Sequence, residues 1–258
     1  KINQNEEKLF EREFSNYLSV HHPFLLKYYG FSTFESHKSL ILEYAEGKGL
    51  NEIITLNLNI NEKLKIIFEI MIVIQYLHYS NFIYRDLKPN NLIIDDKKTV
   101  ILIDLDRMIK NSDFINDEKS TRDFSSVYIA PEVNKENYSF SADIYSLGMI
   151  IYFIIFEKTP IINNLNHKFP DEFSKLQEIF VQCIDINPDK RPNIFQLIND
   201  FYLNCFSNFH SELIENDIVK TITKNNISDF FQYLIFLADC DNSYSLYKLG
   251  KLYKEGKI

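Results

Sequence analysis

The stretch Tyr84–Asn91, YRDLKPNN, decides the fold class of this chain. It offers a carboxylate at Asp86, an ammonium group at Lys88 and an amide at Asn91. A second acidic cluster, Asp104–Asp106, follows at the end of an apolar run. These groups suit phosphoryl transfer, in which a protein positions a hydroxyl group and clamps a metal-bound phosphate.

This stretch resembles the catalytic loop of the eukaryotic protein kinases, H-R-D-L-K-x-x-N, with Tyr84 in place of His. The resemblance implies that Asp86 orients the substrate hydroxyl, Lys88 neutralises charge on the phosphoryl group and Asn91 holds a metal. Two spacings support it, because Asn91 follows Asp86 by five positions and Asp104 follows Asn91 by thirteen. A polar surface turn would have to match both spacings by accident.

The triplet Asp104-Leu105-Asp106 stands where the family has D-F-G. The resemblance makes Asp104 the main Mg²⁺ ligand, a hard oxygen donor for a hard cation, with Asn91 as a second ligand. Leu105 preserves an apolar side chain under the helix that carries Glu13. Asp106 lacks the backbone freedom of glycine and adds a negative charge beside the metal, so we expect slower turnover.

A strand pair is predicted at Leu25–Tyr29 and Ser39–Tyr44, around a polar turn at Ser32–Lys38. The second strand leads into Ala45–Leu50, AEGKGL, which resembles the hinge behind the nucleotide. An ordinary turn with two glycines is the alternative. In the kinase interpretation Leu42 is the gatekeeper, and Glu43 and Ala45 offer backbone groups to adenine. The implied cofactor-binding residues are Leu42, Glu43, Ala45, Asn91, Ile93 and Asp104.

Residues 1–20 predict an amphipathic helix. Its apolar side chains are Leu9, Phe10, Phe14, Tyr17 and Leu18. Glu13 borders this stripe and by itself indicates a surface charge. The resemblance instead implies the glutamate that pairs with a phosphate-binding lysine, and whether Lys1 is that lysine stays open. Because no glycine precedes Gly30, we interpret the chain as a fragment without the glycine-rich loop, weakly active or inactive by itself.

Further elements are predicted by periodicity and turn signals. Asn59–Tyr79 is a helix that opens on an N-x-x-E capping signature, and Ser141–Glu157 is a central, buried helix. Leu92–Asp95 and Thr99–Ile103 form a hairpin that delivers Asp104. His78 is interpreted as structural, since no carboxylate or cysteine lies near it in sequence.

The kinase resemblance adds two structural contacts and an activation segment. Asp143 would brace the catalytic loop, and Arg191 would pair with Glu132. Arg107–Val127 resembles an activation segment that closes at YIAPE, and Arg85 would meet a phosphate added to it. Ser125 falls where the family has a hydroxyl bonded to the catalytic Asp and Lys, which points to Ser/Thr substrates. The implied catalytic residues are Asp86, Lys88, Glu13 and Ser125.

Composition narrows the function classes. The chain has 258 residues, with 28 basic and 36 acidic side chains and a net charge of −8, which argues against nucleic acid or an anionic membrane as the main partner. The longest apolar run is far shorter than the ~20 residues that span a bilayer. The three cysteines form no disulfide framework, which favours a reducing, cytoplasmic location.

The sequence therefore predicts an α+β, bilobal protein-kinase-like fold with a truncated small β lobe and a mainly helical large lobe. The kinase domain covers 1–203, a linker covers 204–229, and 230–258 resembles the start of Sel-type tetratricopeptide-like repeats, with an amphipathic tail helix as the alternative.

The predicted function is an ATP- and Mg²⁺-dependent Ser/Thr protein kinase that binds protein partners through its repeats. A pseudokinase scaffold that binds proteins without nucleotide is the alternative. A small-molecule phosphotransferase is a third interpretation, disfavoured by YIAPE and CIDINPDKRP.

Overall fold

The structure is a computed structural model that describes residues 4–34, 37–112, 126–135, 139–201 and 204–205. The chain divides into two compact units, Lys1–Ile194 and Phe195–Ile258. The first unit mixes helices and strands, as predicted for an α+β fold. Ser125, nearly all of the predicted linker and the whole predicted repeat segment lie outside the described residues.

Six α-helices and seven strands occur in the described part of the chain, beside several short 3-10 helices. The helices are α1 (Gln4–Ser19), α2 (Ile53–Leu56), α3 (Ile60–Tyr79), α4 (Phe140–Phe156), α5 (Ser174–Cys183) and α6 (Ile194–Phe201). The strands are β1 (Tyr28–Phe34), β2 (His37–Leu42), β3 (Lys48–Gly49), β4 (Phe82–Ile83), β5 (Leu92–Ile94), β6 (Val100–Leu102) and β7 (Ile109–Lys110). β1 pairs with β2, β5 lies between β3 and β6, and β4 pairs with β7, and every pairing is antiparallel.

Helix α3 begins with the predicted capping box. The Asn59 side chain accepts from the Glu62 N–H at 3.0 Å, and the Glu62 carboxylate accepts from the Asn59 N–H at 2.9 Å. Two N–H groups that have no partner inside the helix are thereby satisfied. The rest of α3 supplies much of the core, because its side chains from Lys63 to Gln75 are buried.

Helix α4 is apolar on all sides and buried from Ala142 to Ile155, as predicted. Helix α5 comes close to it at Gly148, where an added Cβ would lie 2.7 Å from Cβ of Cys183. A side chain at this position would therefore push the two helices apart. Within the described residues, no helix is both long enough and apolar enough to cross a membrane.

The β1–β2 hairpin differs from the prediction. The expected turn at Ser32–Lys38 is wrong, because pairing continues through Ser32–Ser39 and Thr33–Lys38 to Phe34–His37. Aromatic and β-branched side chains in this stretch favour extended pairing, and this preference outweighs the polar residues beside them. Leu25 makes only an isolated bridge, with Leu102.

The buried face of α1 also differs in part from the prediction. Tyr17 is buried as expected, but Leu9 and Leu18 are 49% and 52% exposed. The polar side chain of Asn16 is buried instead, and its Nδ2 donates to the carbonyls of Leu105 at 2.7 Å and Met108 at 2.8 Å. These carbonyls lie about 90 positions away, so helical periodicity could not reveal them.

Candidate active site

A single buried carboxylate positions the Tyr84–Asn91 loop. Asp143, in the first turn of α4, accepts from the N–H groups of Tyr84 and Arg85, both at 2.8 Å. Its Oδ2 also lies 2.8 Å from Nε2 of His78. The predicted brace is thus confirmed. His78 does have a carboxylate partner in space, which the sequence did not indicate because Asp143 is 65 positions away.

The site contains two strained backbone positions. Arg85 and Asp104 have left-handed φ angles of 70° and 63°. Such angles cost a non-glycine residue on the order of 1–3 kcal/mol, and they persist where surrounding contacts hold them. The Arg85 N–H is held by Asp143, and its Nε donates to the Arg107 carbonyl at 2.6 Å. Asp106, which replaces the family's glycine, has no such angle, so the expected backbone penalty falls on Asp104 instead.

The structure brings together Asp86, Lys88 and Asn91. Asp86 is buried, and its Oδ2 accepts from Nζ of Lys88 at 2.7 Å and from Nδ2 of Asn91 at 2.9 Å. Nδ2 of Asn91 also donates to the backbone carbonyl of Asp86 at 2.9 Å. Oδ1 of Asp86 accepts no hydrogen bond from the described residues and faces Nη1 of Arg107 at 3.7 Å. Lys88 and Asn91 therefore fix one carboxylate oxygen, and the other oxygen can still accept a hydrogen bond from a hydroxyl group.

Arg107 is a member of this site that the sequence did not indicate. Its only signal was a basic residue immediately after the Asp104–Asp106 triplet. Arg107 contributes its guanidinium to Asp86 and its backbone carbonyl to Arg85. The guanidinium remains partly exposed.

Carboxylates accumulate at this site. Asp86, Asp104 and Asp106 each place an oxygen within 4.8 Å of the others. Burial raises the pKa of Asp104, and the neighbouring charge of Asp106 raises it further. The pKa of Glu13, on α1, is raised by burial and then by the charges of Asp104 and Asp106. Among the side chains that the structure describes, no ion pair joins Glu13 to a lysine, and Lys1, the lysine left open by the sequence, lies outside the described residues.

The donor set fits a hard divalent cation. Asn91 commits its amide nitrogen to Asp86, which leaves its carbonyl oxygen for a metal. Asp104 and Asp106 add carboxylates, and in the part of the chain that the structure describes Oδ1 of Asp106 is buried without a hydrogen-bond partner. Oxygen ligands of this kind are those that Mg²⁺ prefers.

The segment after β2 runs beside β5. The Glu43 N–H donates to the Lys27 carbonyl at 2.8 Å, so of its two backbone groups Glu43 can offer a ligand the carbonyl. Gly47 has φ +148°, and a Cβ there would lie 2.4 Å from the Ile94 carbonyl oxygen, which explains the glycine. Ile93 is half-buried and pairs with Gly49. Leu42, at the end of β2, and Ala45 are also half-buried.

Aromatic side chains fill the space around the loop and between α1 and β1. Tyr84 is fully buried, and its O–H donates to the Ile103 carbonyl at 2.6 Å, while burial raises its pKa well above the ordinary value. Tyr17 and Tyr28 stack with centroids 6.3 Å apart. Tyr84 therefore fills a core position with its ring and still satisfies its hydroxyl.

The predicted pair between Glu132 and Arg191 is present and bidentate. Nη2 of Arg191 donates to Oε2 of Glu132 at 2.9 Å, and Nη1 donates to Oε1. Nη1 also donates to the Ser141 carbonyl at 2.9 Å, and the guanidinium lies over the ring of Tyr145. This arrangement connects the YIAPE turn to the start of α4.

Residues 1–228 match the protein kinase domain, and the chain therefore belongs to the protein kinase family. It is similar to developmentally-regulated protein kinase 1 of Dictyostelium discoideum, with 28% identity over 98% of this chain and 37% of that protein. It is similar to a probable serine/threonine-protein kinase of the same organism, with 29% identity over 76% of this chain and 20% of that protein. Serine/threonine-protein kinase nekl-2 of Caenorhabditis elegans is 25% identical over 77% of this chain and 62% of its own length.

The chain thus spans less than two thirds of the length of each of these relatives. The family match confirms the predicted protein kinase domain. The names of the relatives agree with the predicted Ser/Thr class.

Proposed function

We propose that this protein transfers the γ-phosphate of ATP to Ser or Thr hydroxyls of protein substrates. One observation carries the proposal. Asp86 is buried, with one carboxylate oxygen fixed by Lys88 and Asn91 and the other free of hydrogen bonds from the described residues. A carboxylate held in this way is suited to accept and orient a substrate hydroxyl.

The neighbouring residues take roles around Asp86. Lys88, 2.7 Å from Asp86, places an ammonium group where the hydroxyl and the phosphoryl group would meet. Leu42 and Ile93 would contact the adenine, and the carbonyl of Glu43 and the N–H of Ala45 would bond to its edge. Glu13 would pair with a phosphate-binding lysine. Ser125 would bond to Asp86 and Lys88.

Asp104 and Asn91 would hold Mg²⁺. The cation, when bound, neutralises charge on the phosphates. What supports this assignment is the convergence of carboxylates with no basic side chain of the described ranges paired to Asp104.

The finer organisation belongs to the same proposal. We infer a bilobal kinase domain over 1–203, a linker over 204–229 and Sel-type helical repeats from 230 that bind protein partners. A cytoplasmic location follows from the scattered cysteines.

A pseudokinase scaffold is the second candidate. Two observations favour it. Asp106 adds negative charge beside the metal position, and the guanidinium of Arg107 faces the free oxygen of Asp86 at 3.7 Å. A scaffold would bind its partners with or without nucleotide.

The test is transfer of labelled γ-phosphate from ATP to casein by the full-length protein, with Asp86→Asn and Asp96→Asn variants. Asp96 lies in an exposed turn, so Asp96→Asn removes the same charge away from the site. We expect Asp86→Asn to lower the rate by about 100-fold or more, as is typical for loss of a general base, and Asp96→Asn to leave it unchanged. Equal background labelling by the wild type and Asp86→Asn would contradict the proposed kinase activity. The pseudokinase scaffold would then be the remaining candidate.

A further inference from the structure

Asp106 carries a carboxylate where the family pattern has glycine. The side chain turns toward the site, because one of its oxygens lies within 4.8 Å of oxygens of Asp86 and Asp104. Its Oδ1 is buried and has no hydrogen-bond partner among the described residues, while the residue as a whole is half-buried. A buried carboxylate oxygen without a partner is unfavourable, since the oxygen has left water and gained no donor in exchange.

The cations of this region do not compensate for Asp106. Lys88 donates to Asp86, and Arg107 faces Asp86 as well. The charge of Lys88 also lowers the pKa of Asp104, but the ion pairs of Lys88 and Arg107 within the described residues are both with Asp86. The negative charge therefore exceeds the positive charge at the one place where the proposed function needs a cation.

We propose that Asp106 is an additional ligand of the divalent cation, beside Asp104 and Asn91, and that it allows the site to bind the cation without nucleotide. This inference rests on the metal position of the proposed function. Mg²⁺ sites in phosphoryl-transfer proteins commonly have one or two carboxylates and take further ligands from the substrate phosphates. An extra carboxylate supplies from the protein a ligand that the nucleotide would otherwise provide.

The rival arrangement is a proton shared between Asp104 and Asp106. Two carboxyl groups in contact relieve their repulsion in this way when no cation is present. In that case Asp106 would affect protonation and leave the affinity for the metal unchanged. Direct measurement of metal binding separates the two arrangements.

The experiment titrates Mn²⁺ into the full-length protein without nucleotide and follows free Mn²⁺ by electron paramagnetic resonance. The variants are Asp106→Asn, which keeps the shape of the side chain, and Asp106→Gly, which restores the family residue. We expect both to weaken Mn²⁺ binding by about tenfold or more, and Asp104→Asn to do the same. Asp96→Asn is the matched control for net charge and should bind Mn²⁺ like the wild type. Excess Mg²⁺ should displace the bound Mn²⁺.

Thermal unfolding without metal checks the fold of each variant. We expect Asp106→Asn to unfold at the wild-type temperature or above it, because a repulsive charge is removed. If the Asn variant does not fold, the Mn²⁺ titration is done with Asp106→Gly. Equal Mn²⁺ affinity in the wild type and the Asp106 variants, or no Mn²⁺ binding by the wild type at millimolar metal, overturns the inference whatever the phosphotransfer assay gives. Loss of Mn²⁺ binding in the Asp106 variants supports it even if the wild type transfers no phosphate.

Discussion

The Tyr84–Asn91 loop and the β1–β2 hairpin lie in the same unit of the chain, yet different forces hold them. The loop is fixed from inside by a buried carboxylate, Asp143, on the central helix α4. The hairpin is held by its own backbone pairing and by aromatic contacts with α1, such as Tyr17–Tyr28, and most of its side chains are exposed, including Phe34 at 73%. Among the described residues, the hydrogen bonds that fix the loop therefore come from the helical core, and none of them comes from the hairpin.

The largest expected effect is that of Asp143→Ala, which tests the core side of this comparison. It leaves two buried N–H groups and one imidazole without their partner, each costing about 1–3 kcal/mol, so we expect a loss of roughly 4–6 kcal/mol in the free energy of unfolding. Urea denaturation measures this loss. The exposed Asp171, paired only with Lys168, is the control, and its alanine variant should unfold like the wild type.

A matched pair of phenylalanines gives the next effect. Phe24 is 0% exposed and Phe34 is 73% exposed, although they are ten positions apart. We expect Phe24→Ala to lower the free energy of unfolding by about 3–5 kcal/mol, through lost burial and a cavity. Phe34→Ala should change it by less than about 0.5 kcal/mol. Similar losses in the two variants would mean that the hairpin contributes to the core after all.

The third prediction concerns a buried acid in the core. Glu69 on α3 is 0% exposed, and burial raises its pKa from 4.5 to about 8, although its Oε2 accepts from the Val100 N–H at 2.8 Å. Because the folded state holds this proton more tightly than the unfolded state, its contribution is complete below pH 4.5 and declines as the pH rises toward about 8.

Glu69→Gln keeps the acceptor for Val100 and removes the titration. We expect wild-type stability to fall relative to this variant between pH 5 and 8.5, as followed by urea midpoints at several pH values. A constant difference between the two proteins across this range would contradict the raised pKa.

The smallest effect should come from Arg107→Ala. Its Nη1 is 3.7 Å from Oδ1 of Asp86, beyond hydrogen-bonding distance, and the side chain is partly exposed. Since Lys88 and Asn91 hold the other oxygen, we expect the phosphotransfer rate to stay within about threefold of the wild type. Lys88→Met provides the contrast and should lower the rate by about tenfold or more. A large increase in the phosphotransfer rate of Arg107→Ala would instead show that the Arg107 guanidinium hinders access to Oδ1 of Asp86.

The sequence predicted the elements whose signals are local. The Asn59–Glu62 capping box lies within four residues, and the catalytic loop and the β5–β6 hairpin are short motifs with recognisable spacing. The strand limits of the β1–β2 hairpin were wrong because backbone pairing overrode the polar residues between the strands. The contacts of Asn16 were missed because the carbonyl of Leu105 is 89 positions away. The contact of Arg107 with Asp86 was missed because a single basic residue carries no periodic signal.

By itself, the sequence determined the family and the loop that carries Asp86, Lys88 and Asn91, because fixed spacing in a short turn places side chains within reach of one another. The partner roles of Asp143 and Arg191 came from the family resemblance, since the bonds of Asp143 to Tyr84 and of Arg191 to Glu132 each join residues that are 59 positions apart. The sequence already indicated extra negative charge at Asp106, but the tertiary structure alone decided how closely the carboxylates of separate segments approach one another and where the backbone is strained. It places Asp106 among other carboxylates and puts the left-handed angle on Asp104. Both outcomes depend on burial and on distances between separate segments, and these quantities arise only when the core has formed.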